Sequence, residues 1–514
     1  MYYFIPSWHG NQKAWEDNSI VWYRRQNRMN FDDSINHIKM FEAAKKTSNI
    51  IILNYSPNLR TFLHAYELLE VDHFSIFDKL QCITQKEIQK IDFHELNWPE
   101  DTNFSYNPFT VIARRQRELL AHIEFGNDGK LIWIDYFNQN SLQKRYIFDD
   151  RGFLSSIHFF ENQKITQKIY FNNTGRWVFK EIVDSPYQIR INTDFSSYFK
   201  KKEYHTIEEL IEEKLEDFFS EKISSNDTII LASDSIHNKM VTDLINGQTL
   251  ILSLFSTRNK IDFIESELTN IEKINHIICD SNKIRLKLQN NLSIPIQHVS
   301  PFDSRLKLGK SQRIKELYIY CLVDNIEKSL LTLLFYQLEE SMKLNKNIIT
   351  RFITYEEDFE KRKAIKEHLD YLIEMSSETF MTFIEDQEES FEVVNDDNGP
   401  LIQKPRLVFL HLTNELEIIK LFSDSRIVID ISPIPNLYTQ IAAISAGIPQ
   451  LNFKGTEFVT HLENGYLLKS VLDLKNALPY YLDGLSHWNE SLVFAVKKIN
   501  DYTSGKIVEK ILGK

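Results

Sequence analysis

Glycine, proline and cysteine are all scarce in this chain: 14, 13 and 3 among 514 residues. Few chain breakers, set against 35 Phe and 22 Tyr, exclude a disordered or low-complexity protein. The cysteines, Cys82, Cys279 and Cys321, are far apart and form no C-x-x-C pair. That excludes a disulfide framework and a zinc ribbon, and it fits a reduced compartment. Excess basic charge is lacking too. The chain carries 60 Lys+Arg against 72 Asp+Glu, a net charge of -12, with only short clusters such as Arg114-Arg115 and Lys200-Lys201-Lys202. Nucleic acid is therefore not an expected partner. No run approaches the roughly 20 apolar residues that span a bilayer. The N-terminal "MYYFIPSWHGNQ" has neither a basic n-region nor an h-region, so it does not read as a signal peptide. The expectation is a cytoplasmic protein.

What the chain does have is core material. Its hydrophobic content is 42%, and its length implies about two to four domains. The strand-like "YYFIPSW" is followed by "DSINHIKMFEAAKK", with Ile35, Ile38, Phe41 and Ala44 at helical spacing, and then by "NIIILNY". Strand–helix–strand implies a parallel sheet with right-handed crossovers. From 104 the texture changes. The turn signals "FGNDGKL", "FDDRGFL" and "FNNTGRW" place Gly129, Gly152 and Gly175 at equal spacing between the strand-like "LIWIDYF", "LSSIHFF" and "QKIYF". That pattern predicts a hairpin meander whose glycines take positive φ. The meander is either a plain structural sheet or an extended surface, edge strands included, that receives a polypeptide.

After 200 the helix–strand rhythm returns with "HTIEELIEEKLEDFF", "DTIILASDS" and "TLILSLFSTRN". A second α/β unit opens near 311 with "KELYIYCLV" and a long helix. The expected organisation has a first Rossmann-like domain of 1–103 and 201–310, with a β-meander of 104–200 inserted in it. A second Rossmann-like domain covers 311–480, and C-terminal helices of 481–514 pack back on the first domain. The acidic tract 385–400 reads as a solvated loop.

The most informative stretch is "DISPIPNLYTQIAAISAGIPQLNFKGTEFVTHLENGYLL", Asp430 to Leu468. Together with "RLVFLHLTNELEIIKLFSDSRIVI" before it, its outline resembles the donor half of a retaining GT-B glycosyltransferase. The resemblance implies an α/β fold of two facing Rossmann-like domains, with a meander inserted in the first. It also implies two glutamates, one for the donor sugar and one for the ribose, a helix N-terminus for the diphosphate, and an Arg/Lys pair for the leaving group. Aligned on Gly447-Ile448-Pro449, the glutamate positions fall on Ile434 and Ala442. The basic pair should follow the 315–323 strand, but the chain there reads Val323-Asp324-Asn325-Ile326-Glu327, with Lys328 the one nearby cation. Ser432 and Gly447 keep the outline of the site without its carboxylates. Asp430 lies inside a strand and reads as structural.

No other chemistry takes its place. There is no D-x-D, G-x-S-x-G, Walker loop or H-x-x-x-H. Gly10 alone is too little for a phosphate cradle. No catalytic residue, cofactor or metal ligand is assigned.

A GT-B outline, an inserted meander, the aromatic "MYYFIPSWHGNQKAW" and a donor site without its carboxylates together resemble the first of the accessory secretory proteins. These belong to the accessory Sec system, which exports serine-rich repeat adhesins in Gram-positive bacteria. The resemblance covers essentially the whole chain. The meander also resembles the insertion of the glycosyltransferases that modify those adhesins, where it helps receive the peptide. The resemblance implies a non-enzymatic member of a complex with the second and third accessory secretory proteins. That complex would work with the accessory Sec motor ATPase to deliver the glycosylated adhesin preprotein, and its partners would bring it to the inner face of the membrane. The alternative is an active GT-B glycosyltransferase acting on the same adhesins.

Overall fold

The computed structural model describes residues 1–9, 15, 32–85, 87–126, 128–183, 185–260, 268–304, 310–384, 405–413 and 415–513. Gly10 and the acidic tract 385–400 lie outside the described residues. The chain forms two compact units. One holds the first strand, Asp33–Val299 and Val508–Lys514; the other holds Ser300–Ile507.

The first unit is built on a seven-stranded parallel sheet, ordered Ile296–His298, His276–Cys279, Thr249–Leu254, Thr228–Ala232, Tyr2–Ile5, Ser48–Ile52, Asp72–Ser75. A parallel sheet is covered on both faces, so its inner strands are largely apolar rather than alternating, while the edge strand Asp72–Ser75 is polar and partly exposed. The N-terminal strand shows this directly. Tyr3 lies edge-on to Phe218 of the helix Ile207–Lys222, while Tyr2 and Phe4 meet Phe41 of the helix Asp33–Ala43 on the opposite face.

Between Asp72–Ser75 and Thr228–Ala232 the chain makes a ten-stranded antiparallel sheet, from Thr102–Tyr106 to Glu203–Tyr204, in which every strand pairs with the next. Gly129, Gly152 and Gly175 all take positive φ, at 75°, 90° and 77°, as their turn motifs predict. Gly152 is required for a second reason. A Cβ there would come within 1.9 Å of Gln89 O. The meander is bonded to the parallel sheet's helices and loops through buried polar groups. Tyr55 Oη lies 2.8 and 2.9 Å from the Ser155 and Ser156 hydroxyls. Arg151 holds Asp78 in a two-pronged pair at 2.8 Å.

The second unit is a six-stranded parallel sheet, ordered Leu407–His411, Ile348–Thr354, Leu317–Leu322, Ser425–Asp430, Gln450–Asn452, Gly465–Leu467. The boundary between units falls at Val299/Ser300, directly ahead of Pro301 and earlier than the expected 310. Residues 481–514, expected to pack back as a block, divide. The helix Ser486–Ile499 stays in the second unit, where its fully buried Trp488 donates Nε1–H to Arg426 O at 2.8 Å. Only the last turns, Val508–Lys514, group with the first unit, where His276 Nε2 lies 2.6 Å from Ile511 O.

A donor-type loop closed by its own hydrogen bonds

Strands of a parallel sheet end at a common edge, and ligands of such folds bind beyond the carboxyl ends. In the second unit that edge carries Asp324, Tyr355 and the loop from Asp430. Asp430 ends its strand 1% exposed, and both its oxygens are occupied. Oδ1 accepts from Ser432 N at 3.1 Å and from the Ser432 hydroxyl at 2.6 Å; Oδ2 accepts from Asn436 N at 2.7 Å. Burial pushes its pKa up, against the pull of these hydrogen bonds.

Asn436 in turn caps the helix Leu437–Ala446 by accepting from Thr439 N at 2.9 Å and from its hydroxyl at 3.0 Å. Thr439 Oγ1 lies 3.0 Å from Tyr355 Oη, which lies 2.5 Å from Tyr320 Oη. Both phenols are held well above their ordinary pKa, chiefly by burial. Asp324 closes the neighbouring loop by accepting from Thr354 Oγ1 at 2.5 Å and Tyr355 N at 2.7 Å. Its pKa too is raised by burial. Two amides at the helix N-terminus, those of Asn436 and Thr439, are thus taken by side chains of its own loop.

The four positions singled out from the sequence separate. Ser432 is buried in the Asp430 network. Ile434 projects into solvent, 84% exposed. Ala442 is 5% exposed, in an apolar cluster with Tyr438, Ile441 and Phe458. Gly447, at φ 73°, ends the helix. Its N–H bonds Ile444 O and that of Ile448 bonds Ala443 O, the paired bonds of a left-handed C-terminal cap. Gly465 does not turn by positive φ; it opens the last strand, where a Cβ would lie 2.3 Å from Gln450 O.

The tyrosine–threonine chain is not legible in the sequence; nothing in the spacing of Tyr320, Tyr355 and Thr439 points to one contact. Nor is a second polar cluster, at the carboxyl edge of the first sheet. There Ser7 Oγ lies 2.5 Å from Asp234 Oδ2, and Arg258 grips Asp33 at 2.8 and 3.0 Å. Asp280 accepts from Ser256 N and Oγ at 2.9 and 2.5 Å. His237 Nε2 faces Ala232 O at 2.8 Å, so it carries the proton, and Nδ1 accepts from His9 Nε2 at 2.8 Å. Burial pushes His237 down to about 3. Among the described residues no group of three or more His, Cys, Asp or Glu is placed to hold a metal, and no helix is long and apolar enough to cross a membrane.

With this geometry in place, comparison with known proteins is decisive. Over residues 1–513 the sequence matches the family of the accessory Sec system protein that is the first of the accessory secretory proteins. The chain belongs to this family. A relative of the same description from Streptococcus gordonii is 35% identical over 526 aligned positions, covering 99% of this chain and 98% of the other. Among solved structures, one described as accessory secretory protein 1, 2 and 3 in Streptococcus pneumoniae matches with a TM-score of 0.82 and 32% identity, covering 100% of each chain. The pneumococcal O-GlcNAc transferase GtfA, solved with UDP and GlcNAc, matches with a TM-score of 0.67 at 12% identity, covering 100% of this chain and 98% of that one. At that identity the likeness concerns fold alone, and the fold is GT-B-like. This accessory Sec family member therefore has a glycosyltransferase-like architecture, with a donor-type loop bonded to itself.

Proposed function

We propose that the protein is a non-enzymatic component of an accessory Sec export complex. It would assemble with the second and third accessory secretory proteins and, with the motor ATPase, deliver glycosylated serine-rich repeat adhesin preproteins. The observation that carries this reading is Asp430. The carboxylate at the donor-type loop spends both oxygens on Ser432 and Asn436, and the flanking positions are an exposed isoleucine and a buried alanine. On this reading the loop has no free carboxylate for a donor sugar and no cation for a departing nucleoside diphosphate. Family membership over the full chain, and the three-protein composition of the pneumococcal relative's structure, support the partners. A cytoplasmic site of action, with recruitment to the membrane through those partners, follows from the same reading.

The test pairs two measurements. Pure protein incubated with UDP-sugars and adhesin acceptor should give neither transfer nor hydrolysis, while co-expressed second and third accessory proteins should co-purify with it. Turnover abolished by a substitution at Asp324 or Asp430 would establish the alternative, a working glycosyltransferase.

A further inference from the structure

We propose that the outer edge of the ten-stranded sheet, Thr102–Tyr106, takes an extended, uncharged, hydroxyl-rich segment of a partner polypeptide as an added strand.

The two ends of this sheet are treated differently. At one end, the short strand Glu203–Tyr204 is tied down by the helix Ile207–Lys222, whose Glu213 accepts from Tyr204 Oη at 2.5 Å and from Lys200 N at 3.0 Å. At the other, Thr102–Tyr106 is paired, among the described residues, on one side alone, with Val111–Arg115. Asn107 N bonds Thr110 O at 3.2 Å. Antiparallel pairs alternate between bonded and non-bonded, so Asn103 and Ser105 aim their backbone groups inward and Phe104 and Tyr106 aim theirs outward. The N–H of Thr102 is taken by Pro99 O at 3.3 Å. Two adjacent outward amides, on Phe104 and Tyr106, remain for a guest strand. Neither proline nor lysine interrupts this strand, the usual devices that blunt an edge.

The two faces of the strand specify the guest. On one, Phe104 and Tyr106 stand beside Phe93, His94 and Trp98, with His94 Nε2 2.7 Å from Tyr106 Oη. Tyr106 is 66% exposed and Phe109, just beyond the strand, 56%. On the other, Asn103 and Ser105 are exposed and uncharged. Charges near the edge cancel. The exposed Arg114, Arg115 and Arg117 are matched in number by the exposed Glu100, Asp101 and Glu118. An acidic or basic peptide gains nothing there. A neutral strand that alternates β-branched or aromatic residues with Ser or Thr places hydroxyls opposite Asn103 and Ser105, and apolar groups against Tyr106. This assignment names a surface for the export reading and rests on it only for the identity of the partner.

The experiment uses the full chain and a fluorescein-labelled Ser/Thr/Val peptide, with Glu-substituted and Lys-substituted versions as controls. The neutral peptide should bind at least tenfold more tightly than either control and slow amide exchange at Phe104 and Tyr106. Tyr106→Pro removes an outward donor without touching the existing ladder, and Asn103→Lys with Ser105→Lys charges the exposed face. Each should cost at least tenfold in binding while leaving the melting curve in place. Unchanged binding by both variants, protection confined to other strands, or equal binding of the charged peptides would overturn the assignment. Self-association of the pure protein that these variants abolish, with no peptide bound, would also overturn it and make a second copy the occupant. Failure of the export reading looks different: the neutral peptide still binds at this edge, but cells lacking the protein export the adhesin normally.

Discussion

Asp430 accepts the backbone N–H of Asn436 at 2.7 Å, so the last residue of one strand fixes the residue that caps the next helix. This link fixes the geometry of the loop from Asp430 to the start of the helix Leu437–Ala446. Asp430→Ala leaves the Asn436 and Ser432 amides without their acceptor in a buried place. A stability loss of about 2–3 kcal/mol is expected, since each unsatisfied buried group costs roughly 1–3 kcal/mol. Chemical denaturation of the pure protein measures it, and a midpoint equal to wild type would show that water replaces the carboxylate.

The expected donor positions should respond oppositely to glutamate. At Ile434, 84% exposed, a charge stays in water, and the effect should remain within about 0.5 kcal/mol. At Ala442, 5% exposed among apolar side chains, the carboxylate must be buried or the helix displaced, a cost of several kcal/mol. On the non-enzymatic reading the double variant should show no UDP-sugar turnover, since the stretch after the strand Leu317–Leu322 reads Val323-Asp324-Asn325-Ile326-Glu327. Ala442→Glu melting like wild type would mean that this helix face opens to solvent.

Two glycines beyond the loop, Gly447 and Gly465, are needed for different reasons, and substitutions separate them. Gly447→Ala puts an L-residue at φ 73°, which costs roughly 1–2 kcal/mol, and Gly447→Val costs more. At Gly465 the conflict is contact. A Cβ meets Gln450 O at 2.3 Å and Val459 Cγ1 at 2.6 Å. Gly465→Ala should therefore lower the melting temperature and speed amide exchange in Gln450–Asn452, its pairing partner. Gly447→Asn, which tolerates positive φ, should recover much of the stability that Gly447→Val loses. No such recovery would show that space at this cap matters more than φ.

Asp280 gives stability a pH dependence of definite sign. Burial, against the two bonds from Ser256, raises it from 3.8 to about 6. A carboxyl whose folded pKa lies above its unfolded value contributes fully below the unfolded pKa and loses that contribution as pH rises through the folded one. The stability of wild type minus that of Asp280→Asn should thus fall by roughly 3 kcal/mol between about pH 4 and 7, two pKa units at 1.36 kcal/mol each. The difference cancels His237, which acts in the opposite direction. Denaturation at a series of pH values reads it directly, and a difference that grows with pH would mean that the folded protein prefers Asp280 ionised.

Local chemistry alone determined a good deal of this protein. The period of the apolar residues set the kind of sheet in each region. The Asn/Asp–Gly turns set the positive φ of Gly129, Gly152 and Gly175, because that conformation is a property of one residue and its neighbours. The side chains at Ile434 and Ala442 were equally plain. The tertiary structure alone decided what lies opposite what. An amphipathic helix announces that it buries a face and not against which sheet, so the sequence order of Ser486–Ile499 could not reveal that Trp488 bonds Arg426. Tyr320, Tyr355 and Thr439 meet because three crossovers return their strand ends and helix start to one edge. Asp430 reads as an ordinary strand acid until the fold buries it and sets its two oxygens on Ser432 and Asn436.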